Sequence, residues 1–436
     1  MSWHLRALLR YVPALRRALR LLIYVLAVVL LFTQSSLPPA DQQERIRAFT
    51  RDIEFDYVTW TLKAFGVKFG QTALGAHAFL PPATRSELVK EYLELLRQIS
   101  RVESQIEVIF ADPEVKDVLS ASAELRQRLA ELNTRRRDLE PLAESILQAQ
   151  VSQAAAQLGL TLGGQPIPPV LYHTTPPPDA LIVSPREVIR QDADISIQPG
   201  LPLEKITELE QNVDRSLNVS SLVVGIGGIG LYPTMVMQTT DLNWLSEVVA
   251  HEWVHNFLTL RPLGLSYLES PELRTMNETA ASIAGKEIGS LVIAQYYPEL
   301  TPPPVPATPP PAAPGEQPAF DFRKEMHQTR LTVDQLLKEG RVEEAESYME
   351  ARRRFFWENG YRIRKINQAY FAFYGAYADE PLGAAGEDPV GAAVRQLRAQ
   401  SSSLAQFLNR ISWMWTYEQL KEAVTSGSSQ PVSAVR

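Results

Sequence analysis

His251, Glu252 and His255 stand in the run His-Glu-Trp-Val-His, two imidazoles four residues apart with a carboxylate directly after the first. On a helix, residues i and i+4 lie about 40° apart around the axis, so both rings point the same way and can hold one metal ion. Glu252 is turned about 100° from His251 and reaches a water on that ion rather than the ion itself. The chemistry this spacing predicts is metal-assisted hydrolysis. Zn²⁺ brings the pKa of its water toward about 7, Glu252 takes the proton as general base, and a carbonyl polarised by the ion is attacked. The plain alternative is a helix with two satisfied histidines. It is disfavoured because Leu245, Val248, Val249 and Phe257 make this an apolar helix, where an unpaired polar trio is expensive.

Catalytic zinc takes three protein ligands and keeps one position open. No histidine lies between Asn256 and Pro262, and the next one is His327. The acidic candidates are Glu269, Glu272 and Glu278. Ser270-Pro271 has the form of a helix start. The small residues Ala280, Ala281, Ser282, Ala284 and Gly285 predict that this second helix packs tightly against another. Met276-Asn277-Glu278-Thr279-Ala280-Ala281-Ser282 resembles the NExxA helix of gluzincin metallopeptidases, and the resemblance implies Glu278, 23 positions after His255, as the third ligand.

The resemblance narrows further. The run from His251 to Leu258, then Asn277-Glu278, then Arg352–Arg354 and Asn367-Gln368-Ala369-Tyr370 with Tyr377, is similar to the bacterial predicted-aminopeptidase family over residues 240–380. Asn256 stands where that family has Gln, and Gln368 where it has a second Asn. This resemblance implies a zincin core, a zinc cofactor and a peptide or protein substrate. It also implies Tyr377 as a hydrogen-bond donor to the developing oxyanion, with Tyr374 and His327 as rivals.

The elements that must position these residues follow from pattern. A helix is expected over about 243–260, with Asn243 as its cap. Residues 165–300 read as the catalytic core, with β-like runs at Val170–Tyr172, Leu181–Val183 and Ile195–Ile197 and an amphipathic helix at Leu203–Leu217. The glycine-rich run Val219–Gly230 lacks the Gly-Lys-Ser/Thr of a phosphate loop and reads as a strand with a bend. Tyr232–Thr239 reads as an edge strand because of Pro233, placed to bind a substrate backbone by strand addition. Upstream, residues 41–160 are helical. Leu88, Tyr92, Leu95, Ile99, Val102, Ile106 and Ile109 form a heptad seam, and Leu125, Leu129, Leu132 and Leu139 line a second helix, so 84–160 is a coiled-coil-like hairpin able to self-associate. Pro141 is expected to kink or restart the second helix. A proline-rich linker at 301–319 leads to a helical subdomain at 320–425, with helices expected over 321–357, 360–378 and 390–424, and a Ser-rich tail at 426–436. The fold class is therefore α+β, a zincin-like core with a mixed sheet.

The amino terminus, residues 1–40, carries Arg6, Arg10, Arg16, Arg17 and Arg20 and no acid, followed by twelve apolar residues from Leu21 to Phe32. A basic flank before an apolar run predicts a single transmembrane anchor, with a cleaved signal as the alternative and the body outside the cytoplasm. The 436 residues carry a net charge of −7, which gives no basic face for nucleic acid. The absence of cysteine removes thiolate metal sites, iron–sulfur clusters and cysteine nucleophiles together. The functional expectation is a membrane-anchored, extracytoplasmic zinc peptidase. Its rival is a non-catalytic envelope scaffold assembling through the hairpin. Such a scaffold has no use for Glu252.

Overall fold

The structure is a computed structural model in which residues 19–27, 41–111, 115–303, 320–375 and 389–427 are described. They fall in two units, Met1–Ala48 and Phe49–Arg436. In the first, residues 19–27 are helical with exposed side chains. A short helix at Gln42–Arg47 is capped by Asp41, and Arg47 pairs with Glu44. Among the described residues no helix is long and apolar enough to cross a membrane. Residues 1–18 and the remainder of the apolar run, Val28 to Phe32, lie outside the described residues.

The second unit begins with α1 (Tyr57–Leu74), followed by α2 (Pro82–Ala111) and α3 (Ala123–Gln157). The last two form the expected hairpin. Tyr92 donates to Glu140 at 3.0 Å and Arg135 reaches Glu91, which ties the two helices together. Tyr92, Leu95, Ile99 and Val102 of the seam are buried, but so are Val89, Leu93 and Leu96 beside it. The apolar stripe is thus wider than a heptad seam, as suits a helix packed in a globular core. α3 runs through Pro141 as one helix rather than restarting there. Its carboxy-terminal half, with Ile146, Leu147 and Val151, shares one core with Trp253, Val254, Ile288 and Val292.

A buried ion pair ties α1 to that core. Lys68 Nζ lies 2.5 Å from Glu144 Oε2, the Thr174 N–H donates to Glu144 Oε1 at 2.7 Å, and His173 Nδ1 is 3.1 Å from the same oxygen. Burial alone would raise the Glu144 carboxyl, yet the Lys68 ammonium beside it brings it down to about 2.

Two three-stranded sheets follow. β2 (Asp179–Pro185) is the centre of one and pairs antiparallel with β3 (Ala193–Ile197) and β4 (Val219–Gly225). α4 (Leu203–Leu217) packs behind it. Its buried Glu210 accepts the Val223 N–H at 2.7 Å and two bonds from Arg364, at 2.8 and 2.6 Å. The other sheet has the order β1–β6–β5, from β1 (Tyr172–Thr174), β5 (Gly228–Ile229) and β6 (Thr234–Val236). β6 pairs parallel with β1 and antiparallel with β5. The mixed sheet is therefore present, but the expected edge strand is its centre: Pro233, with no N–H to donate, falls before β6 and leaves the β6 ladder intact. The outer strands are β1 and the two-residue β5.

The helix that carries His251, Glu252 and His255 is α5 (Leu242–Leu258) and the second helix is α6 (Pro271–Tyr296). The expected cap, Asn243, lies inside α5 and donates to the Leu300 carbonyl. Asp241 caps instead, because its Oδ1 reaches the Trp244 N–H at 3.2 Å. Beyond the linker, the expected 321–357 helix is two, α7 (Phe322–Lys338) and α8 (Val342–Glu358), broken where Gly340 takes φ 74°. α9 (Gln368–Tyr374) is shorter than expected, and the last helix is three, α10 (Pro389–Ala399), α11 (Leu404–Ile411) and α12 (Tyr417–Gly427). Residues 304–319 and the tail from 428 lie outside the described residues.

Candidate metal centre

α5 and α6 pack face to face, and the small residues of α6 permit it. A Cβ on Gly285 would stand 2.9 Å from the Glu247 carbonyl oxygen and 3.0 Å from His251 Cβ, so only glycine allows this approach. α6 starts where expected, with Ser270 Oγ accepting from the Leu273 N–H at 3.3 Å and Pro271 in the first turn. The packing carries Glu278 to the two histidines. Glu269 and Glu272 are exposed instead, and His327 sits on α7.

His251 Nε2 and His255 Nε2 are 3.1 Å apart, and Glu278 Oε2 is 3.4 Å from the first and 3.5 Å from the second. These three residues form a group able to hold a metal ion. Donors at about 2.0–2.1 Å in tetrahedral directions around one Zn²⁺ would be separated by about 3.3 Å, so the triangle fits.

The surroundings fix what each donor offers. Asn277 Nδ2 donates to the Leu263 carbonyl at 3.1 Å, which turns Asn277 Oδ1 toward His255 Nδ1 at 2.8 Å. His255 Nδ1 must then carry the hydrogen, and its Nε2 presents a lone pair to the triangle. Ser282 Oγ lies 3.4 Å from His251 Nδ1. Tyr267 donates its hydroxyl to Glu278 Oε1, and Arg274 Nε in turn reaches Tyr267 at 3.4 Å. Glu278 Oε2 is left buried without a hydrogen-bond partner. A buried carboxylate oxygen aimed at an imidazole lone pair is repulsive unless a cation sits between them.

In the metal-free chain a proton supplies that charge. Burial works against protonating His255, but the Glu278 carboxylate raises it to about 9. The Glu278 carboxyl is disfavoured by burial as an anion, yet the adjacent histidines hold it well below its ordinary value. Binding a metal must therefore expel the His255 proton. Zn²⁺ affinity is expected to fall about tenfold for each pH unit below about 9, since that proton competes more strongly as pH drops. Competition titrations between about pH 6 and pH 8 check this, and a flat profile would exclude it. Asn277→Ala is expected to weaken Zn²⁺ binding about 10–100-fold by releasing the His255 ring. The same titration reads this loss, and an unchanged affinity would remove Asn277 from the ligand support.

Glu252 is buried at the floor of a cavity of about 450 Å³ that also exposes His251, His255 and Glu278. Burial raises its carboxyl above the ordinary value. The roof is the glycine-rich segment, which sequence reasoning left as a bend. A Cβ on Gly228 would meet Glu252 Oε1 at 2.8 Å, and one on Gly230 would meet His255 Cβ at 2.6 Å. These glycines let β5 lie directly over the motif. The far wall is Tyr57, Asp194 and Ser196, with Phe373 from α9. Of the oxyanion candidates, Tyr377 lies outside the described residues, while Tyr374 packs on Tyr370 with ring centroids 4.6 Å apart. Tyr267, Asn277 and the two glycines were not assigned roles from sequence. The glycine spacing and the residue directly before Glu278 are the signals that mark the last three.

Comparison of the chain with protein-family models, curated proteins and solved structures found no match.

Proposed function

We propose that this chain is a zinc-dependent peptidase of gluzincin type, held at a membrane by its amino terminus with the body outside the cytoplasm. The observation that carries the reading is the buried, unpartnered Glu278 Oε2 facing two histidine Nε2 atoms beside Glu252. His251, His255 and Glu278 would hold the ion. When bound, zinc would polarise a substrate carbonyl and acidify water.

The residues of the chain supply the rest. Glu252 lines the same cavity as the triangle, and its raised pKa suits it to take a proton from water and pass it to the leaving amine. Asn277 and Tyr267 keep His255 and Glu278 oriented, so the donor set needs little rearrangement. β5 pairs with β6 on one side only, at Gly228 with Val236 and Ile229 with Met235, and lines the cavity. Its outer edge supports binding of an extended peptide backbone. An extended peptide laid there brings a backbone carbonyl to the side of the triangle facing Glu252.

The test is to incubate the zinc-loaded full chain, in detergent or vesicles, with a mixed peptide library and read products by mass spectrometry. Cleavage that stops on chelation and returns with Zn²⁺ supports the reading. One bound zinc per chain with no cleavage of any peptide would sink it and favour hydrolysis of a non-peptide amide.

A further inference from the structure

α1 is the helix whose exposed face the metal centre does not explain. Val58, Leu62, Phe65 and Phe69 follow one another at spacings of four, three and four, which is one face of a helix. They are 71, 69, 44 and 79% exposed. The opposite side packs inward at Ala64, which is buried, and at Lys68, which is locked on Glu144. Exposed apolar side chains scattered singly are ordinary, but a stripe along a helix marks an interaction surface.

Composition and place in the chain select the partner. The helix contains Lys63 and Lys68 and no acidic residue, in a chain whose net charge is −7. Lys63 is exposed on the helix, while Lys68 is neutralised inside. Lys63 and the exposed capping Asp56 leave that end of the helix without net charge, so what selects lipid is the apolar stripe together with its place in the chain. It is also the first long helix after the apolar run, since only 24 residues separate Phe32 from Tyr57 in the sequence. α1 touches the site as well: Tyr57 lines the metal-centre cavity, its hydroxyl bonded to Ser196, and Phe65 meets Tyr232 edge-on with ring centroids 6.2 Å apart.

We infer that the Val58–Leu62–Phe65–Phe69 face of α1 docks on the lipid bilayer surface, and that it holds the cavity against the membrane so that the substrates are peptide segments lying close to the bilayer. This inference rests on the membrane-anchored reading of the amino terminus.

The chain has no cysteine, so a single introduced thiol can be labelled without background. Leu62→Cys, Phe69→Cys, Val25→Cys and Leu331→Cys are nitroxide-labelled in the full chain and reconstituted into vesicles of phosphatidylcholine and phosphatidylglycerol. Power saturation then compares access by oxygen, which concentrates in lipid, with access by a polar nickel chelate, which does not. The expected result is an oxygen-to-nickel ratio at 62 and 69 several-fold above that at 331, the aqueous control on α7. Ratios equal to that at 331 would overturn the docking. So would labels at 62 and 69 shielded from both reagents, which would mean that protein covers the stripe, from a second copy or from this chain. The label at 25 separates the two readings. A lipid signal there with aqueous signals at 62 and 69 keeps the anchor and removes the docking surface, whereas aqueous signals at all positions remove both.

Discussion

Glu252→Gln is expected to bind zinc as the parent does and to lose hydrolysis by about 10²–10⁴-fold. The donor triangle consists of His251, His255 and Glu278, and Glu252 is not part of it. The exchange keeps the shape of the side chain beneath Gly228, where there is no room for a larger one. What it removes is a carboxylate able to accept a proton. Burial has already raised the pKa of that group and made its carboxylate a stronger base, so its loss should appear in kcat with KM little changed. The check is paired: metal content by elemental mass spectrometry, and turnover of whichever peptide the parent cleaves. A variant with full metal and turnover within a few-fold of the parent would remove Glu252 from the mechanism. A purely structural metal site would show that same indifference.

Glu278→Ala is expected to weaken zinc binding by roughly 100-fold or more. Four-ligand structural zinc sites bind with about 10–16 kcal/mol, so one ligand is worth on the order of 3 kcal/mol. The carboxylate is also the only acid among the three donors, and the His255 pKa rises because of it. Removing it takes away both a ligand and the negative charge that favours a cation. Alanine also strands the Tyr267 hydroxyl, which donates to Glu278 in the parent. Glu278→Gln retains the size and a hydrogen-bond acceptor, so comparing the two variants separates lost coordination from disturbed packing. Both should lose zinc, while in the metal-free state the glutamine variant should melt above the alanine variant, since it still accepts the Tyr267 hydroxyl. Zinc bound by either variant with parental affinity would eliminate Glu278 as a ligand and return Glu269 and Glu272 to consideration.

Much of the helical architecture was legible because it is written locally. The period of Tyr92, Leu95, Ile99 and Val102 requires one buried face, and that face is buried. The start of α6 at Ser270-Pro271 was legible for the same reason, since a cap acts on backbone groups two or three residues away. The misreadings concern competition between neighbours. Asp241 and Asn243 are both good caps, and only the path of the chain into α5 decides which oxygen meets the Trp244 N–H. Pro141 suggests a kink or a restart in α3, and the helix does not restart there. Pro233 suggests an edge strand, but the chain places it one residue before β6 and leaves the outer positions to β1 and β5.

By itself, the sequence determined that two imidazoles share one face of a helix with a carboxylate beside them. Spacing within a single helix is geometry, and it holds wherever that helix goes. It also determined that α6 would pack closely, because its small residues leave no other way to bury it. Which acid completes the triangle was decided by the tertiary structure. Glu269, Glu272 and Glu278 are equivalent as chemistry, and only the crossing of α5 and α6 at Gly285 turns the last toward the histidines. The tertiary structure alone likewise brought Tyr267 to Glu278, Asn277 to His255, and the glycines of the β5 segment over Glu252. Each of these contacts joins separate elements, and their distances depend on how the whole core fills its volume rather than on any local period.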